Sequence, residues 1–458
     1  MTIEKVTTVD PVEEINTLVS KALVALDEFR LLNQEQVDNI VEKASAAARD
    51  AARILAQHAN EETGRGVFED KVTKNLFASE NVANYLRGLK TVGIVDKNES
   101  DGLTTIADPV GVVCAMVPTT NPTSTTIFKS LISLKTRNPI IFSFHPAANE
   151  SSKQTARIVR DAAIKAGAPK GCIQFIEQPS LDATNALMKH DGVSIILATG
   201  GSAMVKAAYS CGKPALGVGP GNVPAYVHKD AKLKEAVNDI VLSKSFDNGM
   251  ICASEQAAIV DTEHYEEFIE LMKEHHVYFV NKEEKAKLEE FVFGAKAYSH
   301  NCAGAKLNAD VVGKPATWIA EQAGFKVPAE TKILAAECAE VGENEPLTRE
   351  KLSPILAVIK SISTEDGIEK SRQMVEFNGL GHSAAVHTQD EEVVEQFGKV
   401  IPACRILWNT PTSQGAIGSI YNALIPSLTL GCGSYGRNSV SGNVGAVNLL
   451  NYKIIARR

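Results

Sequence analysis

GVVCAMVPTTNPTSTTIFKSLISLKTRNPIIFSF, residues 111–144, is the stretch that decides the fold. It contains two short apolar runs, GVVCAMV (111–117) and PIIFSF (139–144), with the length and composition of buried strands. Between them, Asn121-Pro122 supplies a cap and a first-turn proline for a helix. The stretch therefore predicts a strand–helix–strand unit.

The same alternation continues as far as residue 227. It predicts further strands at CIQFI and VSIILAT and further helices over 150–166, 181–189 and 203–210. Gly167 and Gly212 stand just past the ends of two of these helices. Repeated units of this kind indicate an α/β fold with a parallel sheet covered on both faces. Such sheets bind ligands beyond the carboxyl ends of their strands.

Other patterns flank this region. Residues 12–90 are alanine-rich with helical periodicity, and Asn33 followed by Gln36 predicts a capped helix start. TTIAD and GVVCAMV, interrupted at Pro109-Val110-Gly111, predict a hairpin-like element near 100–112. From about residue 231 a second α/β region is predicted, with helices 233–243 and 263–274 and strands QAAIVD, LSPILAVI, HSAAVHT and RILWN. The tail ends in the strand-like YKIIA.

Composition narrows the class of protein. With 458 residues, 44% hydrophobic and 22% charged, the chain is expected to be a soluble protein of two or three domains. It has no run of about 18 apolar residues, which a membrane-spanning helix needs. A net charge of −8 without charge blocks argues against a nucleic-acid partner. The eight cysteines show no zinc-ligand spacing, so we predict reduced thiols in the cytoplasm and no metal site.

One cysteine has the surroundings that a nucleophile needs. Cys252 lies in SFDNGMICASEQ, where a glycine and small residues leave room for a substrate and neighbouring N–H groups are expected to favour the thiolate. The alternative is an ordinary small core residue.

Five other positions or segments have both a structural and a functional interpretation. Asn121 is either a helix cap or an amide donor to an oxyanion. ATGGSAMV (198–205) and GVGPGN (217–222) are either plain turns or places where a cofactor phosphate approaches the backbone. Glu350 in EKLSP is either a solvated strand edge or a site residue. His382 in NGLGHSAAV is either a satisfied histidine or an acid–base group.

Taken together, these segments resemble the aldehyde dehydrogenase superfamily, and more closely the N-terminal domain of the bifunctional aldehyde–alcohol dehydrogenases. The resemblance runs from about Asn33 to Arg458. The strings that carry it are FASE, VPTTNPTST, IFKSLISLKTRNPIIFS, ILATGG, MVKAAYS, GKPALGVG, SFDNGMICASEQ, EKLSP, GLGHS, NTPTSQG and PSLTLGCGS.

The resemblance implies a role for each candidate residue. Cys252 corresponds to the nucleophile, and Asn121 with the Cys252 N–H corresponds to the oxyanion-binding pair. His382 corresponds to the acid–base histidine of the acylating members. The implied cofactor contacts are Met116, Val117, Pro118, Thr119, Thr120, Asn121, Gly201, Gly219, Glu350 and Leu430.

Two departures from the wider superfamily are informative. Hydrolytic members carry a glutamate, as general base for water, where ALGVGPG has Gly217. The lysine that binds the adenosine ribose is replaced by Ser143. The first departure implies that the thioester is passed to coenzyme A. The absence of Lys or Arg at Ser143, Phe144 and His145 favours NAD(H) over NADP(H).

The implied fold is an aldehyde dehydrogenase fold in three parts. An NAD-binding, Rossmann-like domain (1–222) carries an oligomerisation hairpin near 100–112, a second α/β catalytic domain covers 223–430, and a tail (431–458) returns to the cofactor and oligomerisation region.

The implied activity is the interconversion of acetyl-CoA and NADH with acetaldehyde, NAD and CoA, in the fermentative direction. A succinyl-CoA/succinate semialdehyde enzyme is the alternative within the family, and a filament-forming module without catalysis is the alternative outside it. The resemblance further implies a cytoplasmic homo-oligomer, filament-forming if the chain is part of a bifunctional protein. In the bifunctional proteins, an iron-dependent alcohol dehydrogenase domain follows downstream.

Overall fold

The computed structural model describes residues 10–294 and 306–458, which form three sheets packed with helices. The strands are β1 Gly93–Asn98, β2 Leu103–Pro109, β3 Val112–Val117, β4 Ile140–Phe144, β5 Ile173–Phe175, β6 Val193–Ala198, β7 Ala215–Gly217, β8 Val223–Val227, β9 Glu255–Asp261, β10 Val277–Phe279, β11 Ile333–Cys338, β12 Ile355–Ser361, β13 Ala384–His387, β14 Ile406–Trp408 and β15 Leu450–Ala456.

The helices lie before and between these strands. They are α1 Pro11–Arg30, α2 Gln34–Asp50, α3 Ala52–Thr63, α4 Phe68–Leu76, α5 Val82–Arg87, α6 Pro122–Lys135, α7 Asn149–Lys165, α8 Leu181–Lys189, α9 Ser202–Tyr209, α10 Leu233–Ser245, α11 Thr262–Glu274, α12 Lys282–Phe293, α13 Ala316–Gln322, α14 Thr364–Asn378, α15 Glu391–Val400 and α16 Thr412–Ala416.

The predicted parallel sheet is confirmed. Its five strands are all parallel and run in the order β5-β4-β3-β6-β7, so the chain changes direction across the sheet between β3 and β6. Alternate residues of β3 enter two different cores, Val113 and Ala115 with α2, α6 and α7, and Val112 and Cys114 with α1 and α8. The sheet is thus buried on both faces, which is why its strands are apolar throughout. The change of direction opens a crevice at the carboxyl ends of the strands.

The start of α2 is also as predicted. Asn33 Oδ1 accepts a hydrogen bond from the Gln36 N–H, and the Gln36 side chain accepts one from the Asn33 N–H. This capping box satisfies donors that the first turn of a helix leaves without intrahelical partners.

The predicted hairpin between TTIAD and GVVCAMV is wrong. β3 lies in the middle of the parallel sheet, between β4 and β6, so neither of its edges is free for β2. β2 instead pairs with β1 and β15 in a separate three-stranded antiparallel sheet. The hairpin that does form is β1–β2. Its first strand, GIVDKN, carries two charged residues in six and lacks an apolar run.

The second α/β region is confirmed as a seven-stranded parallel sheet, in the order β10-β11-β12-β9-β8-β13-β14. The boundary predicted between residues 222 and 223 falls between β7 and β8. β7 is an edge strand of the five-stranded sheet, and β8 is the strand of the seven-stranded sheet that comes first along the chain. The strand predicted at YKIIA is confirmed as part of β15. Within the described ranges, no helix is long and apolar enough to cross a membrane.

Candidate active site

A cavity of about 780 Å³ lies at the carboxyl ends of the five-stranded sheet, where parallel sheets bind ligands. One wall follows strands β3, β4, β6 and β7 and consists of residues 116–121, 143–146, 199–201 and 218–220. The facing wall comes from the second α/β region and includes Met250, Cys252, Glu350 and Leu352. Residues from the two halves of the chain therefore meet in one cavity.

The cavity brings together most of the residues singled out in the sequence. Those that line it are Met116, Val117, Pro118, Thr119, Thr120, Asn121, Gly201, Gly219, Cys252 and Glu350. Leu430 is not among them, because it is buried in the core beneath the seven-stranded sheet, and Leu428 lines the cavity instead. His382 does not line it either.

Cys252 follows a tight turn. Asp247, Asn248 and Gly249 all have positive φ, of 48°, 53° and 68°, between the end of α10 and the start of β9. The residues that follow this turn, Met250 and Cys252, line the cavity, and Cys252 is partly exposed there. It is therefore a partly accessible thiol on the cavity wall.

The Cys252 N–H acts to lower the pKa of its own thiol, in the direction expected, but the net shift of this pKa is upward. Burial raises the pKa of the Cys252 thiol to about 12, and the nearby Glu350 and Cys432 raise it further, against a lowering effect of Arg405. Desolvation of the charged form thus outweighs the local dipoles. The Cys252 thiol is therefore protonated at neutral pH.

Asn121 occupies the N-cap position of α6, but its side chain does not cap the helix, so the capping interpretation is wrong. Its Oδ1 accepts a hydrogen bond from Lys74 Nζ at 2.7 Å, and its Nδ2 donates to Thr120 Oγ1 at 3.2 Å. Lys74 Nζ also donates to the Thr120 carbonyl oxygen at 3.3 Å. The amide is held from one side by a buried cation.

Glu350 is not a solvated strand edge. Its Oε1 accepts a hydrogen bond from the Gly221 N–H at 2.9 Å. Burial raises the pKa of Glu350 to about 7, although the Gly221 N–H, Lys244 and Lys351 all act to lower it. The carboxyl group thus titrates near neutral pH at the cavity wall.

His382 is fully buried directly behind the loop that carries Gly221. A Cβ added to Gly221 would collide with the Cys252 carbonyl oxygen and lie 3.3 Å from His382 Cε1. The Nδ1 atom of His382 lies 3.1 Å from Ser383 Oγ, and its Nε2 has no hydrogen-bond partner among the described residues. Burial, assisted by Arg405, holds the pKa of His382 well below its ordinary value, so the ring is neutral.

Gly217 is tightly packed against α9. A Cβ at this position would lie 3.1 Å from the side chains of both Tyr209 and Val205 on α9, closer than ordinary van der Waals contact. At the end of β4, Ser143 Oγ is hydrogen-bonded to Thr184 Oγ1 at 2.7 Å. Ser143 and Thr184 both line the cavity.

Sequence reasoning missed two cationic residues at this site. Lys74 lies on α4 and Arg65 in the turn before it, both far in sequence from the strand ends that they approach. Arg65 lines the cavity, and it adds to burial in lowering the pKa of His145. The spacing of Lys71 and Lys74 in EDKVTKN was the available signal, since it places two lysines on one helix face. Within residues 10–294 and 306–458 no group of His, Cys, Asp and Glu could hold a metal ion; Cys302 lies outside these ranges.

Comparison with known proteins gives a family and close structural relatives. Residues 2–420 match the model of the aldehyde dehydrogenase family. The chain is 69% identical over 446 residues to an aldehyde-alcohol dehydrogenase of Streptococcus pneumoniae, a match that covers 97% of this chain and 50% of the relative. The chain thus spans about half the length of the curated relatives it first matches.

Two solved structures illustrate the similarity in three dimensions. An acetylating aldehyde dehydrogenase from Geobacillus thermoglucosidasius is 46% identical, with a TM-score of 0.94 over 98% of this chain and 97% of its own. A propionaldehyde dehydrogenase from Rhodopseudomonas palustris, solved with bound CoA and an acylated cysteine, is 28% identical, with a TM-score of 0.84 over 97% of each chain.

Proposed function

The chain belongs to the aldehyde dehydrogenase family, and on that premise we propose that it is a CoA-acylating enzyme that interconverts acetaldehyde, NAD and CoA with acetyl-CoA and NADH. One observation carries the proposal. Cys252 lines the same cavity as Asn121 and Glu350, while the position of the hydrolytic base is a glycine, Gly217, which has no carboxylate.

The first step is addition of the Cys252 thiolate to the aldehyde carbon, which moves the carbonyl π electrons onto oxygen. The Asn121 amide and the Cys252 N–H are the proposed donors to this oxyanion. Because the thiol has a raised pKa, it reacts through a small thiolate fraction. The site therefore depends on oxyanion stabilisation rather than on a preformed thiolate.

The cavity suits a nicotinamide cofactor. It lies where the strand order reverses, and a Cβ on Gly201 would meet no atom within 4 Å, so the backbone there is open to close approach by a phosphate. When bound, NAD supplies the acceptor for the hydride that leaves the hemithioacetal carbon, and the C=O bond re-forms as a thioester on Cys252. Residues 116–121, Gly201, Gly219 and Glu350 are the proposed cofactor contacts.

We propose NAD(H) rather than NADP(H) as the preferred form of the cofactor. The residues that end β4 are Ser143, Phe144 and His145, and the lowered pKa of His145 makes its ring neutral. None of the three therefore offers a positive charge to a 2′-phosphate.

The second half-reaction transfers the acyl group to CoA. The CoA thiolate attacks the thioester carbon, and the Cys252 thiolate leaves. His382 is the proposed acceptor of the CoA thiol proton, which is supported by its Nε2, since this atom has no hydrogen-bond partner among the described residues. The lowered pKa of the buried ring acts against this role, so the proton must be passed on as the CoA thiolate attacks. Water lacks a comparable base because residue 217 is a glycine.

The succinate semialdehyde alternative is less well supported. A substrate carboxylate needs a cation in the acyl pocket. Among the described residues that line the cavity, Arg65 is the one lysine or arginine side chain. Arg65 precedes α4 and is close enough to His145 to affect its pKa, which associates it with the β4 end of the cavity rather than with Cys252.

A cytoplasmic homo-oligomer working in fermentation is the proposed setting, with filament formation if the chain is part of a bifunctional protein. β15 supports the oligomer. It forms an edge of the three-stranded sheet and exposes Tyr452, Ile454 and Ile455. Exposed apolar edge strands of this kind are common pairing surfaces.

A single-turnover experiment tests the proposed activity. Enzyme mixed with NAD and acetaldehyde should release a burst of about one NADH per active site and then almost none, because the thioester lacks a hydrolytic base. Adding CoA should start steady turnover with acetyl-CoA as product. Steady NADH formation with free acetate in the absence of CoA contradicts the acylating assignment.

A further inference from the structure

Three charged side chains are buried together beside the proposed oxyanion site. Lys71 and Lys74 lie one turn apart on α4 and are 3% exposed, and Asp247 is fully buried. Asp247 Oδ2 accepts hydrogen bonds from both ammonium groups, from Lys71 Nζ at 3.2 Å and from Lys74 Nζ at shorter range. We name these three residues the lysine–aspartate cluster.

Stability alone does not explain this cluster. Taking three charges out of water is costly, and replacing buried ion networks with apolar residues is often neutral or stabilising. Burial acts to raise the pKa of Asp247, but Lys74 and Lys71 hold it below its ordinary value, so the carboxylate is charged. Burial lowers the pKa of Lys71 to about 8. A further acid, Asp70, contacts the cluster, since its Oδ2 accepts the Asp247 N–H at 2.7 Å.

Lys74 determines which way the Asn121 amide faces. An ammonium group can only donate hydrogen bonds, so the atom of the amide 2.7 Å from Lys74 Nζ must be the oxygen. The amide nitrogen then points to the opposite side, where one N–H is used by Thr120 Oγ1. The second N–H has no acceptor among the described residues and remains for a ligand in the cavity that Asn121 lines.

Asp247 connects the same lysine to the turn before Cys252. Its Oδ1 accepts the Val67 N–H at 2.7 Å, so the carboxylate joins the start of α4 to the turn with positive φ. The two proposed oxyanion donors come from separate elements, Asn121 from the start of α6 and the Cys252 N–H from this turn. Lys74 is hydrogen-bonded to both Asn121 and Asp247.

We infer that Lys74, held by Asp247, is a positioning residue that orients the Asn121 amide nitrogen toward the reacting carbonyl oxygen and ties it to the loop of the nucleophile. The inference rests on the proposed function, because it assumes that an oxyanion forms on Cys252. It assigns to Lys74 and Asp247 a role in transition-state stabilisation, through Asn121.

The variant Lys74→Met tests this role, with Lys71→Met as the matched control. Lys71 is equally buried and binds the same carboxylate but makes no hydrogen bond to Asn121 among the described contacts. Removing one oxyanion donor typically lowers kcat by about 100- to 1000-fold. We expect Lys74→Met to slow the NADH burst by about 10- to 100-fold and Lys71→Met by less than about threefold. Lys74→Gln, which keeps an N–H donor, should recover part of the loss.

Two further measurements separate positioning from general structural damage. Alkylation of Cys252 by iodoacetamide forms no oxyanion, so its rate in Lys74→Met should stay within about twofold of wild type. In an Asn121→Ala background, Lys74→Met should add little further loss, since the group it positions is already absent. A wild-type burst in Lys74→Met, a full additional loss in Asn121→Ala, or parallel loss of alkylation each overturns the inference. Absence of any burst in the wild type instead refutes the proposed function.

Discussion

The two walls of the cavity differ in the kinds of residue that line them. The wall at the ends of β3, β4, β6 and β7 consists mainly of backbone, glycine, threonine and apolar side chains, with the polar side chains of Asn121, Ser143 and His145 among them. The facing wall and the residues behind it contain Cys252, Glu350 and His382, whose pKa values all depart from normal. Shape and exposed backbone are what cofactor binding needs, whereas bond making needs polar groups in a medium of low dielectric. Asn121 and Glu350 connect the two roles, but Cys252 is proposed for chemistry alone, so its mutation should remove activity and leave NAD binding intact.

The largest effect is expected for Cys252→Ala. This change removes the covalent route and should lower aldehyde oxidation by at least about 1000-fold, or about 4 kcal/mol of transition-state stabilisation. Folding and NAD binding should be unchanged, because the other wall is untouched. The measurements are kcat/KM for acetaldehyde, NAD affinity and the thermal midpoint. Activity above a few percent of wild type would remove Cys252 as the nucleophile, and loss of NAD binding would break the separation of the walls.

Next in size is the pH dependence of Cys252 alkylation. A thiol with its pKa raised to about 12 is almost fully protonated at pH 7, so its thiolate fraction rises about tenfold for each pH unit below that pKa. In the unliganded enzyme, the rate of iodoacetamide alkylation should therefore increase about 100-fold from pH 7 to pH 9. The modified site is checked by mass spectrometry, with Cys252→Ala as the control. A plateau below pH 8 would show that the local N–H groups and Arg405 outweigh burial and Glu350.

The smallest effect concerns the other wall, where we expect NAD to be favoured over NADP by about tenfold in kcat/KM. The reason is that Ser143, Phe144 and the neutral His145 offer no cation to a 2′-phosphate. Arg65→Ala is the matched control, since Arg65 is the one lysine or arginine among the described residues that line the cavity. This variant should keep its kcat/KM with NAD within about threefold of the wild-type value. Equal efficiency with both cofactors in the wild type, lost in Arg65→Ala, would assign the 2′-phosphate to Arg65.

The parallel sheet was predictable because its information is local. Residues 111–144 alternate between apolar runs and a helix with a proline in its first turn, and such patterns need no knowledge of distant contacts. The hairpin prediction failed for the opposite reason. Whether a strand has a free edge depends on its neighbours in the sheet, and those of β3 come from residues 140–144 and 193–198.

The candidate site was predictable only in part. The resemblance placed Cys252, Asn121 and Glu350 on one cavity, and the structure brings them there. It did not indicate Lys74, because the contacts that make this residue matter join positions 47 and 173 residues apart. Nor did the resemblance show that Leu430 is a core residue. Leu430 lies in an irregular segment, where no helical or strand periodicity indicates which side chains face the core.

Gly217 constrains any attempt to redesign this chain as a hydrolase. Inserting the single missing carboxylate also requires Tyr209 and Val205 to give way by a few tenths of an ångström, because a Cβ at residue 217 would lie 3.1 Å from both side chains. Both neighbours lie on α9, which follows Gly201 directly and so borders the proposed phosphate-binding backbone. Gaining the ability to use water is thus coupled to the packing beside the proposed cofactor site. An evolutionary route between the two chemistries therefore involves α9 as well as residue 217.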